Sequence, residues 1–376
     1  MADVFKLYMT GDLVLDEPQA DTFFDPARAM LAEADLLIGH VEVPHTTRGV
    51  ESIGDIPAPA SDPENLRAMG RAGFHMASLA GNHIHDRGAE GITDTIANLT
   101  GQGIVSAGAG LTLADARRPA LASRAGKRVG LLSYNCVGPR EGWAGPKNAG
   151  CAYLKIISHY EPEGANPGGP PKVYTFADPD TVEAMQRDIA ALRDQVDVLV
   201  VALHKGVVHT PAHIAMYETA VSRAAIDAGA DIVIGHHAHI TRGVEIWRGK
   251  PIFHGLGNFI TVTRALSVEG NASPERRAWA ERRKVLFGFE PLPDYPLYPF
   301  HPESRNGMVA ACHIAADGTI SAGFRPLWML PGGQPQPLGH DDKGREVADY
   351  IIGITRKAGF KTGFAWDGNR VVFDAA

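Results

Sequence analysis

Short, almost purely apolar runs punctuate this chain, and each stops at a glycine or a polar residue. Phe5 to Thr10 ends in Gly11-Asp12, Ala34 to Val41 ends at Glu42, and His75 to Ala80 ends in Gly81-Asn82-His83. Further on, Asp197 to Leu203 ends in His204, and the run Ile232 to Ile234 ends in Gly235, followed by His236, His237 and His239. Runs of this kind, without alternation, predict strands buried on both faces. Between them lie segments with helical spacing: Pro26 to Glu33, Asp62 to Ala72, Gly91 to Leu99, Ala177 to Asp194 and Ala212 to Ala228. Asp62 is placed to cap its helix, with Pro63 at the first helical position. Gly103 to Ala107, Arg128 to Asn135, Pro251 to Phe253 and Gly257-Asn258-Phe259 add strands to the pattern. Alternating strands and helices predict an α/β fold.

Two stretches break the pattern. Residues 136–171, dense in Gly, Pro and Asn, read as a long loop, and loops of that length are usually functional. Residues 263–306 are polar and then rich in Pro and Tyr, and read as an insertion or lid. Val309 to Ala315 and Thr319 to Arg325 predict a hairpin about Ala316-Asp317-Gly318. Glu346 to Ala358 then predicts a late helix and Arg370 to Phe373 a late strand. The organisation expected is one domain over residues 1–335, carrying the loop and the insertion, with residues 336–376 as a helix–strand appendage.

Composition narrows the classes. With 376 residues, 44% of them hydrophobic, the chain can bury a substantial core. A net charge of -7 gives no basic footprint for nucleic acid. Cys136, Cys151 and Cys312 are scattered and odd in number, which fits neither a disulfide framework nor a cysteine zinc site. The first residues lack the features of a signal peptide, and no run approaches the ~18 apolar residues of a membrane helix. The expectation is a cytoplasmic protein without membrane or nucleic-acid partners.

The chemistry lies at the strand ends. In α/β folds the carboxyl ends of the strands line the ligand crevice. Here five of them deliver Asp12, Glu42, Asn82, His204 and the cluster His236, His237, His239. Imidazole, carboxylate and carboxamide oxygen together form a metal-ligand set. A surface histidine cluster is the plainer alternative for any one of these positions.

The motifs Thr10-Gly11-Asp12, Gly39-His40-Val41-Glu42-Val43-Pro44, Ala80-Gly81-Asn82-His83-Ile84-His85-Asp86, Gly235-His236-His237-Ala238-His239 and Gly255-Leu256-Gly257-Asn258-Phe259 resemble the calcineurin-like metallophosphoesterase superfamily. Within it they resemble the CapA branch, named for poly-γ-glutamate capsule synthesis. The resemblance spans residues 10 to 259. It implies a four-layer α/β/β/α sandwich with a metal site at the sheet edge. It also implies that Asp12, Glu42, Asn82, His204, His237 and His239 hold one or two divalent cations (Mn, Zn, Fe or Co), with Glu42 at the bridging position of a binuclear centre. His83 resembles the superfamily's catalytic histidine, and Asp86 is placed to orient it or to cap the next helix. His236 and Asn258 are expected to support the ligands from behind, and the neighbouring His40, His45, His85, His209, His213 and His254 to be supporting or substrate-side residues. Two positions depart from the pattern: Val14 stands where an imidazole is usual, and Glu42 where an aspartate is usual.

Arg140, Lys147, Lys205 and Arg242 are candidates to grip anionic groups, since guanidinium forks match carboxylates and phosphates. A solvated charge is the alternative for each. The function expected is metal-dependent hydrolysis of an amide in a glutamyl or peptide-like, anionic substrate. Phosphoester hydrolysis, epimerase or lyase chemistry on an amino-acid-like substrate, and a non-catalytic accessory role in poly-γ-glutamate synthesis are the alternatives.

Overall fold

The computed structural model describes residues 4–52, 60–162, 164, 169–266 and 274–374. Two sheets carry the fold. In the first, Phe5–Leu15 is central. Leu36–Val41, Met76–Ser78 and Val105–Ala107 extend it in parallel on one side. Asn306–Ile314 and Gly323–Met329 extend it antiparallel on the other. Asn258–Val262 lies parallel to the far end of the central strand. The second sheet runs Val244–Trp247, Lys250–Phe253, Ile232–His237, Val198–Lys205, Lys127–Asn135, Ala120–Arg124. Its four middle strands are mutually parallel.

Three apolar interfaces make four layers. Phe24, Met69, Ile92 and Leu99 from helices cover the outer face of the first sheet at Leu13, Leu37 and Ala77. Leu7, Met9 and Ile38 of the first sheet meet Leu131, Val200 and Ile234 of the second. Helices Pro179–Arg193 and Met216–Asp227 cover the far face of the second sheet through Met185, Ile189 and Val221. This is the α/β/β/α sandwich that the resemblance implies.

Strand periodicity decides which polar residues reach the site. In Val198–Lys205, Val198, Val200 and Ala202 face the other sheet, while Leu199, Val201 and Leu203 face the helices. Period two then sends His204 between the sheets and Lys205 to the helix side. In the first strand Leu7 and Met9 point between the sheets, but Leu13 and Leu15 point outward. The parity changes because the pairing register shifts between Met9 and Leu13. That irregularity turns Asp12 toward the second sheet instead of the outer helices. Gly11 sits within it, where an added Cβ would lie 2.0 Å from the Gly257 carbonyl oxygen.

Several elements differ from the sequence reading. The Pro26–Glu33 helix is three short turns between Asp21 and Leu31. Residues 136–171 are not all loop, because Ile156–Glu161 pairs antiparallel with Lys172–Ala177. That hairpin has little burial to impose an apolar pattern: Tyr160, Val173 and Phe176 are exposed. Positions 163 and 165–168 of the expected loop lie outside the described residues, as do 267–273 of the insertion. The rest of the insertion contains the helix Pro274–Phe287. Residues 336–376 continue the first sheet through Arg370–Asp374 and Gly363–Asp367. Their helix Asp342–Lys357 adds Val347, Ala348 and Ile351 to the core between the sheets. Among the described residues no helix is long and apolar enough to cross a membrane.

Gly11 gives a direct test of the irregular register. Gly11→Ala should lower unfolding free energy by about 2 kcal/mol or more, since the new atom meets backbone that cannot yield. Gly101→Ala, at a helical position with nothing within 4 Å of the added Cβ, should instead be neutral or raise it by about 0.5 kcal/mol. Urea denaturation of both variants measures the contrast, and an equally mild effect at Gly11 would show that the strand does not need the close approach.

Candidate metal centre

The seam between the sheets gathers the strand-end residues. Glu42 follows the second strand, its N–H donating to the Leu13 carbonyl at 3.1 Å. Asn82 and His83 follow the third strand through Gly81, whose missing side chain leaves room for His204 and His40, 3.3 and 3.4 Å from where its Cβ would lie. His204 is the penultimate residue of its strand and His237 the last of its own, and His239 lies two residues beyond His237. His237 and His239 both hold left-handed backbone, φ 86° and 52°. Non-glycine residues adopt that conformation uncommonly, and it needs surrounding packing to hold it.

The donor atoms converge. His239 Nδ1 is 3.5 Å from Asp12 Oδ2, and its Nε2 is 3.5 Å from Glu42 Oε1. His204 Nε2 is 3.8 Å from Glu42 Oε1 and 2.8 Å from Asn82 Oδ1. Three sets of donors lie within 4.8 Å of one another: Asp12, Glu42, His239; Glu42, His204, His237; and Asp12, His40, His204. Asp12, Glu42 and His204 each belong to two of them.

Electrostatics favour a cation here. Asp12 is fully enclosed, and neither carboxylate oxygen makes a hydrogen bond of ordinary geometry. Burial holds its pKa well above the usual carboxylate range. Burial, and then neighbouring histidines, hold His204 and His237 well below the ordinary imidazole value, while burial brings His239 to about 4. The imidazoles are therefore neutral near pH 7 and offer lone pairs. A buried carboxylate ringed by neutral nitrogens is costly unless a cation compensates it. The residues present fit a divalent metal.

The supporting residues are also in place. Asn258 Oδ1 lies 2.9 Å from His239 Nδ1, and the Asn258 amide donates to the Tyr298 hydroxyl at 2.9 Å. Asp86 Oδ2 is 2.8 Å from His83 Nδ1. The N-cap position of the helix Gly88–Gly101 falls on Arg87, one residue after Asp86. His236 Nε2 faces the Thr10 carbonyl at 3.2 Å and its ring stacks on His40, outside the three donor sets. His40 itself exceeds the supporting part expected of it. Its Nδ1 is fixed 2.8 Å from Ser78 Oγ, and its Nε2 is enclosed without a hydrogen bond. That is how a ligand histidine is oriented from behind. Its register opposite Asp12 across adjacent parallel strands explains the placement.

The expected anion-gripping residues do not come to the cleft. Lys205 and Arg242 are fully buried on the helix side of the second sheet, where strand parity sends Lys205. Both pair with Glu218, at 3.3 and 3.0 Å. Lys205 Nζ also lies 3.0 Å from His254 Nδ1, and His254 Nε2 lies 3.1 Å from Glu245. This ionic cluster stands directly behind His204 and supports the strand end. Arg140 and Lys147 are exposed and do not line the cleft.

A cleft opens over the donors. Glu42, Asn82, His83, His237 and His239 form its floor. Val14, in place of the usual imidazole, is part of the lining. Leu266, Trp279, Arg283, Phe287 and Phe300 of the insertion wall it, with His209 beside them. Arg283 was not among the sequence candidates. Its signal was the spacing Trp279, Arg283, Phe287, which puts all three on one helix face, hidden in a run of charges.

Two measurements test the centre. In chelator-treated protein, Mn²⁺ or Zn²⁺ should raise the melting temperature, by the equivalent of roughly 2.7 kcal/mol at a hundredfold excess over Kd. Asp12→Asn should abolish that gain yet melt no lower than metal-free wild type, because it removes a buried charge. A metal gain undiminished in that variant would place the ion elsewhere. Separately, Glu218→Ala should cost about 3–5 kcal/mol by leaving Lys205 and Arg242 buried without their carboxylate. Denaturant titration measures it, and a loss under 1 kcal/mol would deny the cluster its supporting part.

Comparison with known proteins places the chain. Residues 6–263 match the family described as "Bacterial capsule synthesis protein PGA_cap". A Mycobacterium tuberculosis protein named "Probable polyglutamine synthesis accessory protein" is 34% identical over 204 residues, 53% of this chain and 48% of that protein. The Bacillus subtilis "PGA biosynthesis protein CapA" is 26% identical over 270 residues, 69% of this chain and 63% of its own. The chain thus spans about half to two thirds of the length of these relatives. Among solved structures, the calcineurin-like phosphoesterase YfkN from Bacillus subtilis aligns at 14% identity and a TM-score of 0.38, covering 94% of this chain and 98% of that one. The family match takes in the first strand, every candidate ligand and the Asn258 loop, and the chain belongs to the bacterial capsule synthesis (PGA_cap, CapA) family.

Proposed function

We propose that this chain is a metal-dependent hydrolase acting on an amide of a glutamyl or peptide-like substrate. The observation that carries the reading is the His83–Asp86 pair, set at the cleft floor beside the donor sets. A scaffold needs neither an oriented histidine nor a ligand cluster. Asp12, Glu42, Asn82, His204, His237 and His239, with His40, would hold one or two divalent ions. Such ions polarise a carbonyl or phosphoryl oxygen and bring the pKa of water near neutrality.

The chain's own groups do the rest. Asp86 accepts the Nδ1–H of His83, which leaves Nε2 to hold or deliver a proton. In amide cleavage that proton goes to the leaving nitrogen, which departs poorly as an anion. Asp86 also stabilises the imidazolium between steps. Phe300, Phe287, Trp279 and Leu266 make a wall with little polar surface, which excludes bulk water and favours an organic substrate.

The names of the relatives favour one second reading, an accessory part in polymer synthesis without catalysis. A screen of metal-loaded protein over γ-glutamyl amides, peptides and aryl phosphates separates the two. Amide cleavage in H₂¹⁸O should place one ¹⁸O in the released carboxylate. Deuterium entering the α-carbon in D₂O without cleavage would point to epimerisation, and turnover confined to aryl phosphates would point to phosphoester hydrolysis. His83→Ala should keep metal stoichiometry and lower turnover about 10²–10⁴-fold. Metal loss from that variant with the fold intact would make His83 a ligand.

A further inference from the structure

Among the described residues five arginines and lysines are almost wholly buried: Lys205, Arg242, Arg283, Arg325 and Arg370. Four have a carboxylate within ion-pair distance: Glu218 for the first two, Glu33 for Arg325 and Asp367 for Arg370. Arg283 has none among the described residues. Its residue is 4% exposed, and Nη1 donates to the Pro299 carbonyl at 2.6 Å. Its other N–H groups have no protein acceptor among the described residues. The guanidinium carbon lies 5.9, 5.6 and 5.7 Å from the ring centroids of Trp279, Phe289 and Phe300.

Rings of this kind attract a cation, but they do not neutralise it. Burial lowers the Arg283 pKa only to about 10, so it stays charged at neutral pH. A buried, unpaired charge is costly to keep and is expected where a ligand supplies the missing partner. Arg283 lines the same cleft as the metal-type donors. Phe300 touches both, its centroid 5.0 Å from that of His239.

We propose that Arg283 is the substrate-recognition residue of the cleft and pairs with a carboxylate on the substrate while the scissile bond lies over the donor sets. The inference rests on the reading of this cleft as the hydrolase site. Arg283 is the single lysine or arginine among the described residues that line the cleft, so outside the donor sets it is the one fixed positive charge they offer a substrate carboxylate. The aromatic surroundings also suit a weakly hydrated carboxylate on an aliphatic chain. A glutamyl group provides one such carboxylate at a distance from its γ-amide.

Binding tests this without turnover. Metal-loaded wild type, Arg283→Met and Arg283→Lys are titrated calorimetrically with glutarate, butyrate and inorganic phosphate, and their melting temperatures are recorded. Wild type should bind glutarate at least tenfold more tightly than butyrate. Arg283→Met should bring the two within about twofold, and Arg283→Lys should restore part of the preference, since it returns charge without the fork. Phosphate affinity should be unchanged in Arg283→Met. The melting temperature of Arg283→Met should equal or exceed that of wild type, because an unpaired buried charge is gone. The proposal is overturned by wild type that does not prefer glutarate, by a preference that survives in Arg283→Met, by loss of phosphate rather than glutarate affinity, or by a lowered melting temperature with binding intact. Because binding is read directly, failure of every amide in the turnover screen would defeat the hydrolase reading and leave this result standing.

Discussion

The arrangement depends on one electrostatic constraint: a carboxylate, Asp12, enclosed at the seam of two sheets among imidazoles that burial keeps neutral. Burial penalises the charged form of Asp12, and a cation in the seam would relieve that penalty. The register shift near Gly11 turns Asp12 inward. The left-handed residues His237 and His239 bring two nitrogens back toward it. Asn258 and Ser78 hold His239 and His40 from behind. Each device costs backbone strain or a close contact, and each is worth keeping only if the donors meet at one place.

The same logic separates the two buried groups of cations. Lys205 and Arg242 share Glu218 and form part of the scaffold behind His204. Arg283 stands on the open side, among rings and without a carboxylate partner among the described residues. Arg283 and the donor cluster line one cleft.

Much of the site was legible in the sequence because apolar strands announce themselves and their ends are marked by glycine or ligand-type residues. Asp12, Glu42, Asn82, His204, His237 and His239 stand at such ends, and the structure brings them together. The position of Lys205 was legible too, since the alternation of Val198, Val200 and Ala202 already assigns it to the face opposite His204. Naming it as a substrate contact set proximity in sequence above strand parity. Other features were not legible. The inward turn of Asp12 needs a pairing irregularity that no local pattern encodes. His40 enters a donor set through its register with a neighbouring strand. The Ile156–Glu161 hairpin lacks the burial that would impose alternation. Arg283 lay in a charged run, where a helix face that mixes Trp, Arg and Phe resembles a solvated surface.

The most direct test of the central claim is an anomalous difference map from crystals grown with Mn²⁺, recorded on both sides of the manganese edge. One or two peaks should fall within about 2.0–2.4 Å of donor atoms drawn from Asp12, Glu42, Asn82, His204, His237 and His239. Glu42 should be common to both sites if there are two. A map in which these side chains enclose no anomalous scatterer, or in which the ion sits on surface carboxylates instead, would contradict the reading of the seam as a metal centre.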